Sequence, residues 1–468
     1  MTKICVAYGD GIGPEIMTSV IAILKAAKVE VEYDVVEVGE KVYLNGISNG
    51  ISDDAWNKIL QNKILLKGPM TTPLGGGYKS INVTLRKKLG LFANVRPVVS
   101  YSPFIKCNAQ NMDVVIVREN EEDLYSGIEY QTTENSYVAV KLISESGSRK
   151  IIKYAFDYAV SNGRKKVTCI TKNNIMKLSD GVFARIFDEV AKDYPQIENN
   201  HMIVDIGSAR IASKPESFDV IVTLNLYGDI ISDIAAEAAG AVGIAGSANI
   251  GGDYAMFEAV HGSAPDISGQ GKANPSGLLS AAIMMLRHLK MHEKANLVEN
   301  AWLATIEDGV HTADLYSGTG KLVSTTAFTE EVIKRIGTKP KTLKASEKQA
   351  GEVLNKLIQT PHKNHKVVGC DVYIRSANTK DFHNIQNLQT DNLRLTFIGY
   401  KGLVIWPGSS KDAELDMLQL RFISTSEISQ NEIIKLQQLI NNANLEIVML
   451  NTLSEYDGKQ GFSKGQGE

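Results

Sequence analysis

Cysteine is scarce in this chain: four in 468 residues, with no Cys-x-x-Cys among Cys5, Cys107, Cys169 and Cys370. That excludes a disulfide framework and gives no sign of a structural zinc. An excess of either charge is missing as well, because 50 Lys and Arg face 53 Asp and Glu for a net charge of −3. No like-charge block is long enough for a polyelectrolyte tail, so nucleic acid and anionic membrane are not expected partners. Long apolar runs are absent too. The longest are Asp113-Val-Val-Ile-Val117, which is short, and Ala235 to Ala248, which is built of small residues. Neither approaches the ~20 residues of a membrane span. The first residues, Met1-Thr-Lys-Ile-Cys-Val-Ala7, lead into a strand instead of a leader peptide, and a cytoplasmic location is expected. There is no internal repeat and no low-complexity tract. What remains is an ordinary globular composition, 43% hydrophobic and 22% charged, in a chain long enough for roughly three domains.

Strands alternate with helices from the start. Lys3–Ala7 reads as a buried strand, Gly9 to Gly13 as a glycine-rich turn, and Pro14 as the opening of a helix with Ile16, Val20, Ile23 and Leu24 on one face. Val31–Val36 is the next strand. Later, Val167–Ile170 precedes a helical stretch over 175–191, and Asp219–Leu224 precedes a helix from Ile230. The pattern predicts an α/β architecture. Composition shifts near 337 into a Lys-rich linker that carries His362 and His365, expected to be solvated. Beyond it, strands at 366–374, 393–398, 403–406 and 445–449 and a helix at 430–442 predict a small α+β domain with a polar surface tail. Leu403, Ile405 and Trp406 suggest a strand covered on both faces.

Three features carry chemistry. Asp229 and Asp233 lie one helical turn apart after an apolar strand, a spacing at which two carboxylates repel unless a cation or a base intervenes, and oxygen ligands suit Mg²⁺ or Mn²⁺. A bare pair of this kind is more often a solvated helix face, but this pair opens a helix of small, close-packing residues. The Gly75-Gly76-Gly77 turn leads into a short helix that presents Ser80, Asn82 and Arg86 near its start, with Gly90 closing it. Arg96 and Arg118 stand in apolar strands where a guanidinium needs an anionic partner. An ion pair would satisfy either one alone. Three converging arginines favour a polyanionic substrate.

Gly9-Asp-Gly-Ile-Gly-Pro-Glu15, the segment Thr72 to Arg86, Ala93-Asn-Val-Arg-Pro97, Arg118-Glu-Asn120, Asp123-Leu-Tyr-Ser-Gly127, Lys172-Asn-Asn-Ile-Met-Lys177, Asn225-Leu-Tyr-Gly-Asp-Ile-Ile-Ser-Asp233 and His261-Gly-Ser-Ala-Pro-Asp-Ile267 follow one another along residues 1–340. In that order they resemble the β-decarboxylating dehydrogenases, the family of isocitrate, 3-isopropylmalate and homoisocitrate dehydrogenases. Residues 345–468, through Val367-Val-Gly-Cys-Asp-Val372 and Tyr456-Asp-Gly-Lys-Gln-Gly-Phe-Ser-Lys464, resemble the carboxy-terminal extension of a bacterial subset.

The resemblance implies an isopropylmalate-dehydrogenase-like two-domain fold: a large domain from 1–98 and 250–337, a small domain over 99–249, a linker over 338–365 and the added α+β domain over 366–468. It implies that Arg86, Arg96 and Arg118 hold substrate carboxylates and that Asp205, Asp229 and Asp233 bind Mg²⁺ or Mn²⁺. Lys172 would take the hydroxyl proton, and Tyr125 would reprotonate the carbon that loses CO₂. Asp205 and Lys172 would come from a neighbouring subunit, so a homodimer with shared sites is expected, and a higher oligomer through the carboxy-terminal domain is open. Ser80 and Asn82 suit the extra carboxylate of isocitrate better than an isopropyl group, which would leave them unpaired. Homoisocitrate and 3-isopropylmalate dehydrogenases and a regulatory subunit are the alternatives.

The Gly9–Gly13 run is not G-x-G-x-x-G, and the resemblance puts the nucleotide on Thr72, Asn82, Glu258, His261, Gly262, Asp266, Ile267 and Asn274 instead. Asp266-Ile267 stands where NADP-using relatives carry Lys-Tyr, and Ala273 is the small residue of NAD users. A carboxylate ~4 Å from a 2′-phosphate costs up to ~4 kcal/mol at an effective dielectric near 20. The expectation is therefore NAD⁺, with NADP⁺ as the alternative, in the oxidative decarboxylation of isocitrate to 2-oxoglutarate in the tricarboxylic acid cycle.

Overall fold

The computed structural model describes residues 2–72, 80–347, 363–375, 385–408 and 416–466. The Gly75-Gly76-Gly77 turn and His362 lie outside them. The chain forms two compact units, one of Met1–Tyr125, Leu142–Ile175 and Asp180–Ile358, the other of Ser126–Lys141, Met176–Ser179 and Gln359–Glu468.

The first unit is built on one mixed sheet. Its strands are β1 (Thr2–Ala7), β2 (Val31–Val35), β3 (Ile64–Lys67), β4 (Ala93–Val99) and β5 (Asp113–Glu119). After the hairpin strands β6 (Glu129–Gln131) and β7 (Tyr137–Ala139), which belong to the second unit, come β8 (Lys166–Thr171), β9 (Glu198–Ile203), β10 (Val220–Thr223), β11 (Gly246–Ile250) and β12 (Ala255–Ala259). The ten strands run in the order β2-β1-β3-β12-β11-β4-β5-β10-β8-β9. The outer pairs are parallel, whereas β12-β11-β4-β5 at the centre are antiparallel. The two expected halves of the catalytic region are joined by this continuous sheet, since β11 pairs with both β12 and β4. Helices cover it, and Val114–Val117 and Val220–Val222 are fully buried, as strands with both faces covered should be.

The α/β class agrees with the sequence reading, but several boundaries do not. The helix expected from Ile230 begins five residues earlier and spans Asn225–Ala238. Its start is fixed from a distance, because the Leu226 N–H donates to the Asp123 carboxylate at 2.8 Å. The stretch expected from Ile175 becomes helical only over Ser179–Ala191.

In the second unit a six-stranded antiparallel sheet packs a helix, Gln430–Asn442, over a core that includes Cys370, Val372, Leu420, Phe422, Ile433 and Leu436. A central strand, Met417–Ile423, was not anticipated, and the last long strand is Ile447–Tyr456, not 445–449. Leu403–Trp406 is an edge strand and is not covered on both faces: Leu403 is 53% exposed, Val404 and Trp406 are half-buried, and Ile405 alone is buried. The polar tail lies at the surface over 461–466 and returns to this edge, where the Val404 N–H donates to the Gln466 carbonyl at 3.0 Å. Behind the sheet Arg421 pairs with Asp371 at 2.7 Å, both buried, and its guanidinium lies 4.7 Å from the Phe397 ring. The β6-β7 hairpin joins this unit through its tip, where the Thr133 and Ser136 hydroxyls donate to Asp416.

Candidate active site

Strand register sets the floor of a cleft of about 210 Å³ in the first unit. Asn249 on β11 stands opposite Asn94 on β4, which stands opposite Arg118 on β5. Arg96, two residues from Asn94, shares its face. On the other side, Lys67 closes β3 opposite Glu258 on β12. The helix Ile81–Lys88 brings Asn82 and Arg86 over this row, with Ser80 at its N-cap, and the helix Asn225–Ala238 brings Asp229 and Asp233.

Each cation is fixed before any ligand arrives. Arg118 donates to both the backbone and the side-chain oxygen of Asn225, at 2.9 and 2.8 Å, and pairs with Asp229. Arg96 donates to Asn94 and to Ser232, each at 2.6 Å, and lies 3.2 Å from Asp229 and 3.8 Å from Asp233. Arg86 donates to Glu258 at 3.1 Å, and Lys67 reaches the other oxygen of that carboxylate at 2.7 Å. Glu258 also accepts from Asn249 at 2.9 Å. Lys67, Arg86, Arg96 and Arg118 thus face Glu258 and Asp229 in the cleft, with Asp233 at its edge, an arrangement that leaves positive charge for a polyanion. Burial lowers the pKa of Arg118, helped by repulsion from Arg96 and Arg86. Burial raises Glu258, but Lys67 and Arg86 outweigh it and hold the carboxyl far below its usual range.

Asp229 and Asp233 respond in opposite directions. Burial works against Asp229, yet Arg118 and Arg96 keep it below the normal carboxylate range. Burial raises Asp233, with a smaller push from the neighbouring Asp229, and Arg96 and Arg118 only partly relieve it. A hard divalent cation between them would remove that repulsion, so the donor set fits Mg²⁺ or Mn²⁺. Tyr125 donates to Asp229 at 2.5 Å, with the Arg118 guanidinium 4.8 Å from its ring, and burial and this bond raise its pKa. The phenol therefore keeps its proton at neutral pH. Asn82 Oδ1, Arg86 Nε and His261 Nε2 are buried with no partner in the protein. Such orphans in one cleft mark places where a ligand completes the bonding.

The remaining candidates stand elsewhere. Lys172, just past β8, donates to both oxygens of Asp205 at 2.6 Å, which lowers the Asp205 carboxyl. Neither residue lines the cleft that holds Asp229, and among the described residues no three metal-ligating side chains of one chain converge. The expected set of Asp205, Asp229 and Asp233 is thus not assembled within a single chain. Thr72 has its hydroxyl 3.5 Å from that of Ser80. His261 and Gly262 line the cleft; the ring Nδ1 engages the Gly262 carbonyl at 3.0 Å, and burial lowers the imidazole pKa. Asp266 and Ile267 sit in an outer turn of the following loop, and Asn274 is held by Asp314 at 2.9 Å. Sequence reasoning missed Lys67. The signal was the one used for Arg118: a charge at the end of an apolar strand, Ile64-Leu-Leu-Lys67.

Residues 3–332 match the isocitrate/isopropylmalate dehydrogenase family model, and the chain belongs to that family. Residues 365–468 match the carboxy-terminal domain of bacterial isocitrate dehydrogenase. An isocitrate dehydrogenase (NADP) of Rickettsia bellii is 52% identical over 100% of this chain and 99% of its own. One from Thermus thermophilus is 40% identical over 99% and 96%. The crystal structure of the TT0538 protein of Thermus thermophilus superposes with a TM-score of 0.93 at 40% identity, covering 100% of this chain and 96% of that one.

These relatives overturn the expectation of NAD⁺ over NADP⁺, because both isocitrate dehydrogenases carry NADP in their names. The structure gives the physical reason that the argument from Asp266 fails. Asp266 is exposed, so its charge acts at a dielectric near that of water, where a pair ~4 Å apart costs ~1 kcal/mol instead of ~4. Lys272 brings a cation to the same loop, its ammonium 3.0 Å from Gln270.

Proposed function

We propose that this chain oxidises isocitrate with NADP⁺, releasing CO₂ and 2-oxoglutarate. The observation that carries this reading is the convergence of Arg86, Arg96 and Arg118 with the Asn82 amide and the Ser80 hydroxyl in one small cleft. A tricarboxylate would accept from the three guanidinium groups, the Ser80 hydroxyl and the Asn82 amide N–H. An isopropyl group would offer the Ser80 hydroxyl and the Asn82 amide N–H no acceptor. The arginine row would grip two carboxylates, and Ser80 and Asn82 the third. Asp229 and Asp233, with Asp205 of a second copy, would hold Mg²⁺ or Mn²⁺, which supplies Lewis-acid stabilisation of charge developing on oxygen.

Lys172 of a second copy would take the hydroxyl proton, and the nicotinamide, when bound, would supply the acceptor for hydride from the same carbon. Loss of CO₂ from the resulting β-keto acid leaves an enolate, and Tyr125 returns a proton to carbon. One proton leaves and one arrives, so the substrate loses a hydride and CO₂. Thr72, Asn82, Glu258, His261, Gly262, Asp266, Ile267 and Asn274 would border the nucleotide, with Glu258 acting through Arg86 and Lys67. A regulatory subunit is disfavoured, because Tyr125, Lys172 and all three aspartates are kept. The relatives' names and family membership support this reading as an enzyme of the tricarboxylic acid cycle.

The test is NADPH formation by the purified chain with isocitrate, homoisocitrate or 3-isopropylmalate, with and without Mn²⁺. Equal turnover of 3-isopropylmalate would defeat the substrate reading. The shared site has its own test. Lys172→Met and Asp229→Asn chains, each inactive alone, should regain about a quarter of wild-type activity when unfolded and refolded together, because half the dimers are mixed and each has one complete site. No recovery would place both residues in one chain's site.

A further inference from the structure

The Gly9-Asp-Gly-Ile-Gly-Pro-Glu15 run takes no part in the reaction above, yet it meets the loop His261–Asn274 at three points. The Ile12 N–H donates to the Ser263 carbonyl at 2.9 Å. The Ser268 hydroxyl donates to the Gly11 carbonyl at 2.8 Å. The Ala273 N–H donates to a Glu15 carboxylate oxygen at 3.2 Å, and that oxygen also accepts from the hydroxyl of Thr325, a fully buried residue at the start of the helix Thr325–Lys334. The loop is thus pinned at both ends and in the middle by one short segment.

The approach is close enough to dictate sequence. Gly11 has φ +57°, and a Cβ there would lie 1.9 Å from the Ser263 carbonyl oxygen. Between its anchors the loop passes through left-handed conformations at Ala264, Gly269 and Gly271, with φ +38°, +72° and +67°. A segment of single turns does not hold such a path by itself. Asp10 extends the same support to the substrate side, accepting the Thr71 N–H at 2.9 Å.

We infer that Gly9–Glu15 is the template on which the nucleotide loop is shaped, and that Glu15 is a positioning residue for the dinucleotide. The inference rests on the reading of His261–Asn274 as the nucleotide loop. Glu15 lies in the first turn of its own helix, where free N–H groups favour a carboxylate, but directs its oxygen across to Ala273 and Thr325.

The test uses the full-length chain with Glu15→Ala and Glu15→Gln, read by fluorescence titration of NADPH without isocitrate and by hydrogen exchange of residues 264–273 without nucleotide. Loss of a charge-assisted bond should raise the NADPH Kd about tenfold in Glu15→Ala and speed exchange across the loop, with the KM for isocitrate changed by less than about twofold. Glu15→Gln should recover most of the affinity, because its amide oxygen still accepts from Ala273. Unchanged Kd and exchange overturn the inference. So does a parallel loss of isocitrate and NADPH affinity with a lower Tm, which would make Glu15 a general support. His261→Ala separates the two readings: if it leaves the NADPH Kd unaltered, the loop assignment fails. If it weakens binding while Glu15→Ala does not, only the role of Glu15 fails.

Discussion

At the residue scale, the site is a set of charges whose directions are set by burial and by neighbours. Glu258 is the clearest case. Its carboxyl is held far below its usual range although burial opposes this, because Lys67 and Arg86 both lean on it. A depressed carboxylate contributes stability above its unfolded pKa, near 4.3, and loses it as pH falls toward the folded value. The wild-type Tm should therefore drop on acidification below about pH 4.5, and the acid limb of a Glu258→Gln variant should be flatter. At pH 7 that variant leaves two buried cations unpaired and should lose about 3–5 kcal/mol in denaturant unfolding. A loss below about 1 kcal/mol would mean that the network relaxes around the change. Ser80 invites the opposite experiment. Ser80→Glu places a carboxylate where the third substrate carboxylate is proposed to sit, so the KM for isocitrate should rise by at least about a hundredfold. A KM within about twofold of wild type would remove Ser80 from the site. Much of this was legible in the residues: Arg86, Arg96, Arg118, Tyr125, Asp229 and Asp233 were named from spacing and resemblance, and the fold gathers them. Asp266 was misread because its sign was visible in the sequence and its exposure was not.

At the scale of elements, the helix Asn225–Ala238 shows what local pattern misses. Its first turn contains Gly228, which reads as a break, and its start is fixed by Asp123, about a hundred positions earlier. Gly228 is there for contact. A Cβ at this position would come within 2.5 Å of the Arg118 Cγ, at the stem of the side chain, where rotation gives little relief. Alanine in a helix interior ordinarily gains up to ~1 kcal/mol over glycine. Here Gly228→Ala should forfeit that gain and displace Arg118, raising the KM for isocitrate about tenfold or more with little change in the secondary structure seen by circular dichroism. An unaltered KM would show that Arg118 has room to shift. The strand Met417–Ile423 was overlooked for a related reason. Its inner residues Leu418, Leu420 and Phe422 alternate with Gln419 and Arg421, and a buried arginine looks like an interruption until Asp371 is seen beside it.

At the scale of the whole molecule, the carboxy-terminal residues form a unit with its own core, which holds the tip of the β6-β7 hairpin through Asp416 and Arg375. A chain ending at residue 344 loses those partners but no residue of the cleft. It should bind isocitrate with Mn²⁺ within about twofold of the full chain, while its Tm falls by at least ~5 °C or its mass in solution drops. Retained Tm and mass with lost turnover would instead put a functional group in the tail. The cleft itself carries a last consequence. Asp229 is shared among Arg118, Arg96 and Tyr125, and the arginines have few other anions beside them. Like dancers already paired, neither side is released until a new partner cuts in. On the proposed reading, isocitrate would offer the arginines replacement carboxylates and free Asp229 for a cation, which would make the acid and the ion mutual conditions for entry. By linkage each should tighten the other by the same factor, visible as weak Mn²⁺ binding to the free protein and much tighter binding once isocitrate is present.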